Sequence, residues 1–430
     1  MLKPAINELL TRTGPGTPMG DVFRRSWQPA LLASELPEDG CPPVRVKLMS
    51  ERLLAVRDSA GNYGLIDEFC PHRGVSLWFG RNEEEPGLRC PYHGWKFNVN
   101  GECIEVPSEP ADSDFCNKVT VTRYPLLKRG DVLWTYMGPA ELEPPAPEWE
   151  FAVVPAEQTY TSKRWQESNW LQAMEGGIDS SHVSWLHSGG LKTDPLFKGT
   201  RGNEYNMKDM KPYFEVAESD GGLFIGARRN AEEGSYYWRI TPWVLPAFTM
   251  VPPRGDHPIH GHFWVPIDDE NCWTFTFDYH PVRPLSREER KAMMDGHGVH
   301  NEFESPDSFR PKANKDNDYL MDRDAQRRGE MLSGVKGIAI QDSSLQESMG
   351  PIVDRMKERL VSTDTGIIKA RQKLRKAAEA MRDAGATPPG VDPVHHRVRS
   401  AAVVLPVEND FLPATREVLT AREGVAQASV

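Results

Sequence analysis

The sequence predicts an α+β protein with two main domains, a β-rich domain followed by a larger one in which helices flank an antiparallel sheet. Three observations lead to this prediction. Strand signals dominate residues 44–137, residues 138–150 read as an acidic and proline-rich linker, and the later residues mix helical and strand patterns. A chain of 430 residues is also longer than a single ordinary core requires.

We therefore expect three parts: an N-terminal segment at 1–40 that packs on the larger domain, a β-rich domain at 41–140, and the larger domain with C-terminal helices at 141–430. In the β-rich domain, VRVKL alternates like a strand and DSAGN is a turn. The stretch KVTVTRYPLLKRGDVLWTYMG predicts a hairpin around the turn KRGD.

The larger domain begins with residues 160–187, which we expect to be helical. Strands are predicted within 222–280, most clearly in CWTFTFDYH, where aromatic residues alternate. A capping box, Ser286-x-x-Glu289, then opens a helix, and further helices are expected at about 343–360 and 366–384.

Composition excludes several classes of function. The formal net charge of −11 argues against non-specific binding to nucleic acid or to an anionic membrane. No run approaches the roughly 18 apolar residues of a membrane span, and the first residues lack the apolar region of a secretory signal. We therefore expect a cytoplasmic protein whose six cysteines are metal ligands or buried thiols.

Two short motifs in the β-rich domain each offer one cysteine and one histidine. These residues are Cys70 and His72 in CPHRG, and Cys90 and His93 in CPYHGW. A structural zinc site is one interpretation, because tetrahedral zinc accepts two cysteines and two histidines. Since each loop brings one ligand of each kind, the pattern favours a 2Fe–2S cluster with the thiolates on one iron and the imidazoles on the other. Gly74 and Gly94 would let each loop turn tightly.

The two loops, with Trp95 after the second, resemble the Rieske domain of the ring-hydroxylating Rieske non-haem iron oxygenases. The resemblance extends from GTPMGDVFRRSWQPALL to QDSSLQESMGPIVDR and is greatest to the large (alpha) subunits of the phthalate dioxygenase branch. It implies a Rieske domain followed by a catalytic domain of the helix-grip type.

A second candidate metal site lies in NWLQAMEGGIDSSHVSWLH, which contains Asp179-x2-His182-x4-His187. Two histidines and one carboxylate can hold ferrous iron with open positions for oxygen activation. On a regular helix His182 and His187 would diverge by about 140°, so we expect the helix to distort there as π-bulges do. Read alone, two histidines near an aspartate more often belong to a helix surface than to a metal site.

The resemblance implies a different division of roles in this stretch. It implies that Asp342, in GIAIQDSSLQES, is the carboxylate ligand of the mononuclear iron, and that Asp179 lies between the iron histidines and a Rieske histidine of the neighbouring subunit. It also implies that Asn169 lies near the iron. A helix N-cap is the alternative interpretation of Asp342, because Ser344-x-x-Glu347 and apolar residues follow.

The resemblance further implies a homotrimer or stacked trimers, and a separate reductase that passes electrons from NAD(P)H through flavin and an iron–sulfur cluster. The expected reaction uses O2 to hydroxylate an aromatic carboxylate, phthalate-like or benzoate-like, to a cis-dihydrodiol. A related monooxygenase or O-demethylase is the alternative, and a non-enzymatic Rieske electron carrier is the third hypothesis.

A carboxylate substrate requires cations or oriented donors in an otherwise apolar pocket. The candidate substrate-binding residues are Arg239, Ser180, Lys208 and Arg228, with Arg229, Lys211 and Ser181 beside them. Arg239 is preferred by resemblance. Of the remaining histidines, His260 and His262 are expected to be core or surface residues, and no role is expected for His395 and His396.

Overall fold

The computed structural model of the chain describes residues 2–110, 112–305 and 308–430. The helices are α1 (Pro4–Thr11), α2 (Pro18–Arg24), α3 (Glu150–Val153), α4 (Trp170–Ile178), α5 (Gly190–Thr193), α6 (Arg201–Lys208), α7 (Arg287–Met294), α8 (Arg323–Arg327), α9 (Ile338–Ser348), α10 (Thr365–Ala384) and α11 (Phe411–Thr415). No helix among these described residues is both long enough and apolar enough to span a membrane.

The strands before the linker are short. They are β1 (Gln28–Leu32), β2 (Val44–Leu48), β3 (Glu51–Arg57), β4 (Tyr63–Asp67), β5 (Arg81–Asn82), β6 (Leu88–Arg89), β7 (Lys96–Phe97), β8 (Cys103–Glu105), β9 (Arg123–Tyr124), β10 (Leu126–Arg129) and β11 (Val132–Thr135). The strands after it are β12 (Thr159–Gln166), β13 (Tyr213–Glu218), β14 (Gly222–Asn230), β15 (Ser235–Val244), β16 (Phe248–Val251), β17 (Ile259–Pro266), β18 (Cys272–Tyr279) and β19 (Ala401–Pro406).

The first half of the chain forms three small antiparallel sheets, with strand orders β2-β3-β4-β9, β5-β6-β7-β8 and β1-β11-β10. The predicted hairpin is present, because Arg129 pairs with Val132 across a turn in which Gly130 has a φ of 59°. The predicted DSAGN turn joins β3 to β4, and the Asp58 carboxylate accepts hydrogen bonds from the backbone of Ala60 and Asn62. The two cysteine–histidine loops follow β4 and β6.

The second half is built on one large antiparallel sheet of order β12-β18-β17-β16-β15-β14-β13, with β19 paired to β15. Helix α4 packs on β16 and β17, and α9 packs on α4. The strand prediction for 222–280 is confirmed, and the sheet also includes two earlier strands, β12 and β13. Together with the small sheets this is the expected α+β architecture.

The helical prediction for 160–187 is confirmed only for α4, because the helix ends at Ile178 and β12 is a strand at the edge of the large sheet. Its alternating positions Ser162, Arg164 and Gln166 are polar, so the strand lacks the alternation of apolar residues that marks a half-buried strand. Arg164 and Gln166 are nevertheless buried, because they face polar groups of neighbouring elements rather than an apolar core.

The later helices are closer to expectation. The capping box is confirmed, since the backbone N–H of Glu289 donates to Ser286 Oγ at 3.0 Å and its carboxylate accepts from the Ser286 N–H at 2.7 Å. Helix α10 has nearly the predicted bounds and stops at Gly385, which is left-handed with a φ of 59°. Helix α9 starts and ends earlier than predicted, at 338–348, because Gly350 and Pro351 stop it.

The N-terminal segment touches both halves of the molecule. Helices α1 and α2 pack against α10, whereas β1 pairs with β11 of a small sheet. In α2, the hydroxyl of Thr17 accepts from the N–H of Gly20 at 3.2 Å, and Pro18 occupies the first helical position. The proposed domain boundaries at residues 40 and 140 stay predictions.

Candidate functional site

The stretch that carries Asp179, His182 and His187 is not a distorted helix. Helix α4 ends at Ile178, Asp179 adopts an extended conformation with φ −92° and ψ 111°, and His182–Ser184 form a single 3-10 turn. The expected π-bulge is therefore wrong. Because the chain leaves the helix at Asp179, His182 and His187 can face each other without obeying the helical angle between them.

Close packing explains why α4 carries two glycines in its last turn. A Cβ atom at Gly177 would lie 2.1 Å from Cη2 of Trp264, a rigid ring in β17. At Gly176 a Cβ atom would lie 2.2 Å from Nε2 of Gln346, which is on α9. The glycines thus let α4 approach the sheet and α9, which brings the end of α4 next to Asp342.

Gly177→Ala is expected to destabilise the protein by about 1–3 kcal/mol, because the indole of Trp264 has to move or α4 has to shift away from the sheet. Differential scanning calorimetry of the purified variant measures this loss. Gly14→Ala is the matched control, since its Cβ would meet only ordinary contacts at 3.6 Å or more. Equal unfolding temperatures for Gly177→Ala and wild type would contradict the close-packing argument.

The side chains of His182, His187 and Asp342 converge on one point. The two Nε2 atoms are 3.1 Å apart, and Oδ1 of Asp342 lies 3.5 Å from His182 Nε2 and 3.3 Å from His187 Nε2. Ligands about 2.1 Å from a metal and at right angles to each other would be about 3 Å apart. The donor set and its spacing therefore fit one ion, with the facial two-histidine, one-carboxylate arrangement typical of non-haem Fe(II).

Hydrogen bonds hold both imidazoles in the orientation that such an ion requires. His182 Nδ1 is 3.3 Å from Oδ2 of Asp179, and His187 Nδ1 is 2.8 Å from Oε1 of Gln341. The amide of Gln341 is itself fixed, because its Nε2 donates to the carbonyl of Val335 at 2.9 Å. With Nδ1–H donated outward in both rings, each Nε2 keeps its lone pair for the ion.

Asp342 is the fifth residue of α9 and not its N-cap. The N-cap is Gly337, with a φ of 91°, so the N-cap interpretation of Asp342 is wrong. Burial alone would raise the pKa of Asp342, but His187, His182 and Arg164 outweigh it and lower the pKa to about 2. The carboxylate is thus ionised, as a metal ligand must be.

Asp179 connects the site to the surface of the subunit. Its Oδ1 accepts from the backbone N–H of Ser181 at 2.7 Å and from Ser181 Oγ at 2.5 Å, while Oδ2 faces His182. Burial acts to raise the pKa of Asp179, but the hydrogen bonds from His182 and Ser181 hold it below its ordinary value. The side chain is 19% exposed, so one lone pair of Oδ2 remains open to a partner.

The two cysteine–histidine loops have the same backbone structure. In the first, the N–H of Cys70 donates to the carbonyl of Val75 and the N–H of Gly74 donates to Cys70; the second repeats this with Cys90, Trp95 and Gly94. Gly74 and Gly94 have φ values of 73° and 77°, which only glycine adopts freely.

The thiols and imidazoles of these loops occupy different environments. Cys70 and Cys90 are buried, whereas His72 and His93 are exposed and their ring centroids lie 4.4 Å apart. Trp95 stacks on His72 with centroids 4.6 Å apart. This arrangement fits a cluster with its cysteine-bound iron inside and its histidine-bound iron at the surface, where electrons can enter and leave.

A cavity lies beside the His182–His187–Asp342 group. One part of its wall is apolar, with Val183, Leu191, Phe197, Val299 and Ile338. Another part is polar and contains Arg164, Arg239, Arg254, His260, His262 and Ser180.

Two of the four predicted substrate-binding residues lie in this wall. Arg239 is buried and donates from Nε to Ser180 Oγ at 3.1 Å. Lys208 does not, because it is exposed at the end of α6. Arg228 does not either, because its guanidinium lies over the rings of Tyr213 and Tyr236 on the outside of the sheet, near Glu215.

Arg229, the neighbour of Arg228, has a structural role. Its Nη2 donates to the carbonyl of Ser180 at 2.9 Å and its Nε donates to the carbonyl of Asp209 at 3.1 Å. It therefore fixes the loop that carries Asp179 and His182. Lys211 is exposed and does not line the cavity.

Asn169 is not close to the proposed iron ligands in the way the resemblance implied. It is the N-cap of α4, at the opposite end of this helix from Asp179, and its Oδ1 accepts from the N–H of Leu171 at 3.1 Å. Its Nδ2 donates to the carbonyls of Thr11 and Asp269, so the amide has partners on both ends. The expected position near the iron is wrong, and Gln341 instead contacts an iron-site histidine.

Sequence reasoning missed four polar residues of the cavity wall, namely Arg164, Arg254, His260 and His262. The two histidines are buried, as expected, but they also face the cavity. One pattern in the sequence could have indicated these residues. Charged or ionisable residues occupy alternate positions of a strand, and the positions between them are mostly apolar or aromatic. In β17, His260 and His262 follow this pattern.

Comparisons with known proteins give the family. A model described as "Rieske [2Fe-2S] domain" matches residues 26–125, and a model described as "LigXa C-terminal domain like" matches residues 135–422. The chain belongs to the Rieske non-haem iron oxygenases. This Rieske oxygenase is 38% identical over 400 residues to the 3-chlorobenzoate-3,4-dioxygenase oxygenase subunit of Comamonas testosteroni, with 90% of this chain and 91% of that protein covered.

A further relative of this Rieske oxygenase agrees with that assignment, and a solved structure shares its fold. The phthalate 4,5-dioxygenase oxygenase subunit of Pseudomonas putida is 36% identical over 394 residues, with 88% of this chain and 87% of that protein covered. A crystal structure of dicamba monooxygenase bound to dicamba has the same fold, with a TM-score of 0.59, 17% identity, and 84% of this chain and 98% of that one covered.

The family, the fold class, the enzyme class and the cofactors expected from the sequence are thereby confirmed. This Rieske oxygenase is an aromatic ring-hydroxylating oxidoreductase that uses a 2Fe–2S cluster, mononuclear Fe(II), O2 and electrons from a separate reductase.

Proposed function

We propose that this Rieske oxygenase hydroxylates an aromatic carboxylate of the phthalate or benzoate type, with a cis-dihydrodiol as product. The observation that carries the proposal is a set of three buried arginines in the cavity wall: Arg164, Arg239 and Arg254. Within the part of the chain that the structure describes, none of the three has a carboxylate within 4 Å. Each also has a buried N–H group without a hydrogen-bond acceptor.

Unpaired buried cations are costly, so an anionic ligand in the cavity would stabilise them. Burial and the charge of the nearby Arg239 lower the pKa of Arg254 to about 9, so these two guanidinium groups are close together. Arg254 also lies over the ring of Phe197 at 4.5 Å. A carboxylate between these two arginines and Ser180 would leave its aromatic ring among Val183, Leu191 and Phe197. The named substrates of the two curated relatives, 3-chlorobenzoate and phthalate, are aromatic carboxylates.

The metal-ligand assignments belong to the same proposal. We assign Cys70, His72, Cys90 and His93 to the cluster, and His182, His187 and Asp342 to the mononuclear iron. When bound, the cluster supplies electrons and the iron activates O2. Asp179 and Gln341 orient the two iron histidines through hydrogen bonds. The apolar wall and the arginines position the substrate and exclude water.

Metal analysis tests these assignments. The purified protein is expected to be red-brown and to contain about three iron atoms and two acid-labile sulfides per chain, one iron in the triad and two in the cluster. Inductively coupled plasma mass spectrometry and a sulfide assay measure this. Cys70→Ser should lose the sulfide and the visible absorbance. Stoichiometric zinc in place of iron would contradict the assignments.

Arg239→Met and Arg254→Met are each expected to raise KM for a benzoate or phthalate substrate by roughly 10- to 100-fold, because each removes a charge-assisted hydrogen bond worth about 1.5–3 kcal/mol. Steady-state oxygen uptake with the reductase measures KM and kcat. Arg228→Met is the matched control, since that arginine lies outside the cavity. An unchanged KM in both cavity variants would exclude these arginines as the carboxylate site.

Product analysis distinguishes the reaction types. The enzyme is combined with a reductase and NADH, a panel of benzoates, phthalates and methoxybenzoates is offered under ¹⁸O2, and products are identified by mass. A dihydrodiol with two labelled oxygens supports the proposed dioxygenation. A singly labelled phenol or released formaldehyde would instead assign monooxygenation or O-demethylation.

We also propose a homotrimer, or two stacked trimers, in which Asp179 faces a cluster histidine of the neighbouring subunit. The partial exposure of Asp179 and the exposure of His72 and His93 at the surface support this arrangement. Analytical ultracentrifugation tests the stoichiometry, and a monomer at working concentration would contradict it. The flavin-containing nature of the reductase and a cytoplasmic location stay predictions.

A further inference from the structure

One face of the large sheet carries ionisable side chains where an apolar core would be expected. The face spans three adjacent strands, β12, β18 and β17. We call residues that pair across these three strands a row, and the first row consists of Tyr160, Asp278 and His260. Asp278, His260 and His300 are each 98% or more buried. His260 lines the active-site cavity. None of the three residues belongs to the proposed metal sites or to the proposed carboxylate site.

These residues form a connected series from the cavity to the outer edge of the sheet. Asp278 Oδ1 lies 3.9 Å from Nδ1 of His260, and Oδ2 lies 2.7 Å from Nε2 of His300. Nδ1 of His300 is 2.6 Å from Oγ of Ser162. Ser162 is half-buried and belongs to β12, the edge strand, so the series reaches the surface there.

A purely structural buried ion pair would normally use a permanent cation. Within the described residues, Asp278 has only His260 and His300 as ion-pair neighbours within 4 Å, and both can gain or lose a proton. The other charges near Asp278 are those of Asp194 and Glu289, which disfavour its ionised form. A carboxylate between two imidazoles, without a lysine or arginine, is suited to pass protons.

The pKa values support such transfer. Burial, the largest influence, raises the pKa of Asp278 despite its hydrogen bond from His300. Burial also lowers the pKa of His260 well below its ordinary value, and the positive charges of Arg254 and Arg239 act in the same direction. The two groups are thus shifted toward each other, which reduces the free-energy cost of moving a proton between them.

The geometry points to a proton relay in which Ser162, His300, Asp278 and His260 deliver protons from solvent to the active-site cavity. This inference rests on the proposed oxygenase function, because reduction of O2 there consumes protons. Dioxygenation combines one aromatic substrate, one O2, two electrons and two protons into one dihydrodiol. Monooxygenation uses the same inputs and yields one hydroxylated product and one water, so both reactions need two protons per turnover.

Each step of the relay breaks one O–H or N–H bond and forms another. Ser162 donates its proton to His300 Nδ1 and regains one from solvent, and His300 passes its Nε2 proton to Asp278. A rotation of the Asp278 carboxyl group closes the 3.9 Å gap to Nδ1 of His260, where the carboxyl O–H bond breaks and an N–H bond forms. His260 then releases the proton of its Nε2 into the cavity, and the series is restored by reorientation of its hydroxyl and imidazole groups.

His300→Gln and Asp278→Asn interrupt the relay while retaining a polar side chain of similar size. Thr276→Val is the matched control, because Thr276 lies in the next row of the same sheet face, between Ser162 and His262. Cluster absorbance, iron content and thermal unfolding are measured first. If Asp278→Asn does not fold, His300→Gln alone decides the question, since glutamine can still donate to Asp278.

The first readout does not depend on turnover. Infrared spectra of the resting wild-type enzyme are recorded as a function of pH, and the absorption of a protonated carboxyl group is followed. Asp278→Asn should abolish one such band, His300→Gln should shift its titration, and Thr276→Val should leave it unchanged. A titration unaffected by either relay variant would overturn the inference, even if the enzyme proves inactive on aromatic acids.

The second readout is the single-turnover rate with 3-chlorobenzoate or phthalate, measured in H2O and in D2O. Product and hydrogen peroxide are counted together, because O2 reduction to peroxide also consumes two protons. We expect His300→Gln and Asp278→Asn to slow this rate at least about tenfold, because a proton-transfer group contributes at least that much, and to increase its solvent isotope effect, while the steady-state KM stays unchanged. A rate and isotope effect equal to those of Thr276→Val would show a structural role only. Activity on no aromatic acid, with the infrared titration as expected, would count against the proposed substrate and not against the relay.

Discussion

Asp342→Ala is expected to lower mononuclear iron occupancy from about one atom per chain to less than about one tenth, because loss of a ligand should exceed the 10- to 100-fold effect of losing a supporting residue. Oδ1 of Asp342 is within 3.5 Å of both Nε2 atoms, so it completes the triad. Two neutral imidazoles without the carboxylate would hold Fe(II) weakly. The cluster loops lie elsewhere in the chain and should keep their absorbance.

The measurement combines total iron, acid-labile sulfide and the visible spectrum of the same preparation. Iron should fall from about three to about two atoms per chain while the sulfide stays at two. Glu347→Gln is the matched control, since Glu347 is on the same helix but accepts hydrogen bonds from Tyr319 and the backbone of Glu167. Normal iron content and turnover in Asp342→Ala would mean that another carboxylate is the ligand.

The sequence predicted those parts of the site in which the metal ligands lie close together along the chain. Each cysteine–histidine loop is complete within six residues, and the glycine that turns the loop is part of the motif. The spacing therefore determines the geometry, and the two loops have the same hydrogen bonds. For the same reason the capping box and the KRGD hairpin were predicted correctly.

The mononuclear site was harder, because its third member is distant in the sequence. Asp342 follows His187 by 155 positions, and only the family resemblance indicated it. Local reasoning gave an N-cap, since it placed the start of α9 after Asp342 instead of at Ile338. The path of the chain at Asp179 was also misjudged, because the helix ends there rather than bulging.

The cavity wall could not be predicted from local patterns. Arg164, Arg254 and His260 come from β12, from the segment before β17 and from β17, and only the strand order brings them together. Polar residues at alternate positions of β12 hid the strand itself, because the rule for half-buried strands expects apolar residues there. The rule fails at a strand that contributes to the cavity wall, which is expected where polar residues serve the site and not the packing of a core.

Asp179→Asn is expected to retain both metal centres and to lower turnover by roughly 100-fold or more, at or beyond the upper end of the effect of supporting residues. The structure adds a reason that the sequence did not contain. Oδ1 of Asp179 already accepts two hydrogen bonds from Ser181, and Oδ2 faces His182. An asparagine has only one oxygen, so its NH2 group must face either Ser181 or His182, both of which donate.

Because the N–H of Ser181 is a fixed backbone donor, the asparagine oxygen should remain with Ser181 and the NH2 group should turn toward His182. Oδ2 of Asp179 is also the acceptor that we propose for a cluster histidine of the neighbouring subunit. The NH2 group of the asparagine would replace this oxygen, so that hydrogen bond would be lost as well. A carboxylate also strengthens such hydrogen bonds by its charge. Electron transfer between the cluster and the iron should therefore fail while the ligands themselves stay in place.

The step to measure is oxidation of the reduced cluster in a single turnover with substrate and O2, followed by its visible absorbance. Ser181→Ala is the matched control, since it removes one of the two donors to Oδ1 but keeps the carboxylate, and it should slow the step far less. Asp179→Glu should restore part of the rate, because the second acceptor returns. If Asp179→Asn instead loses its mononuclear iron, Asp179 supports the iron site itself, and the proposed connection between subunits would have to be abandoned.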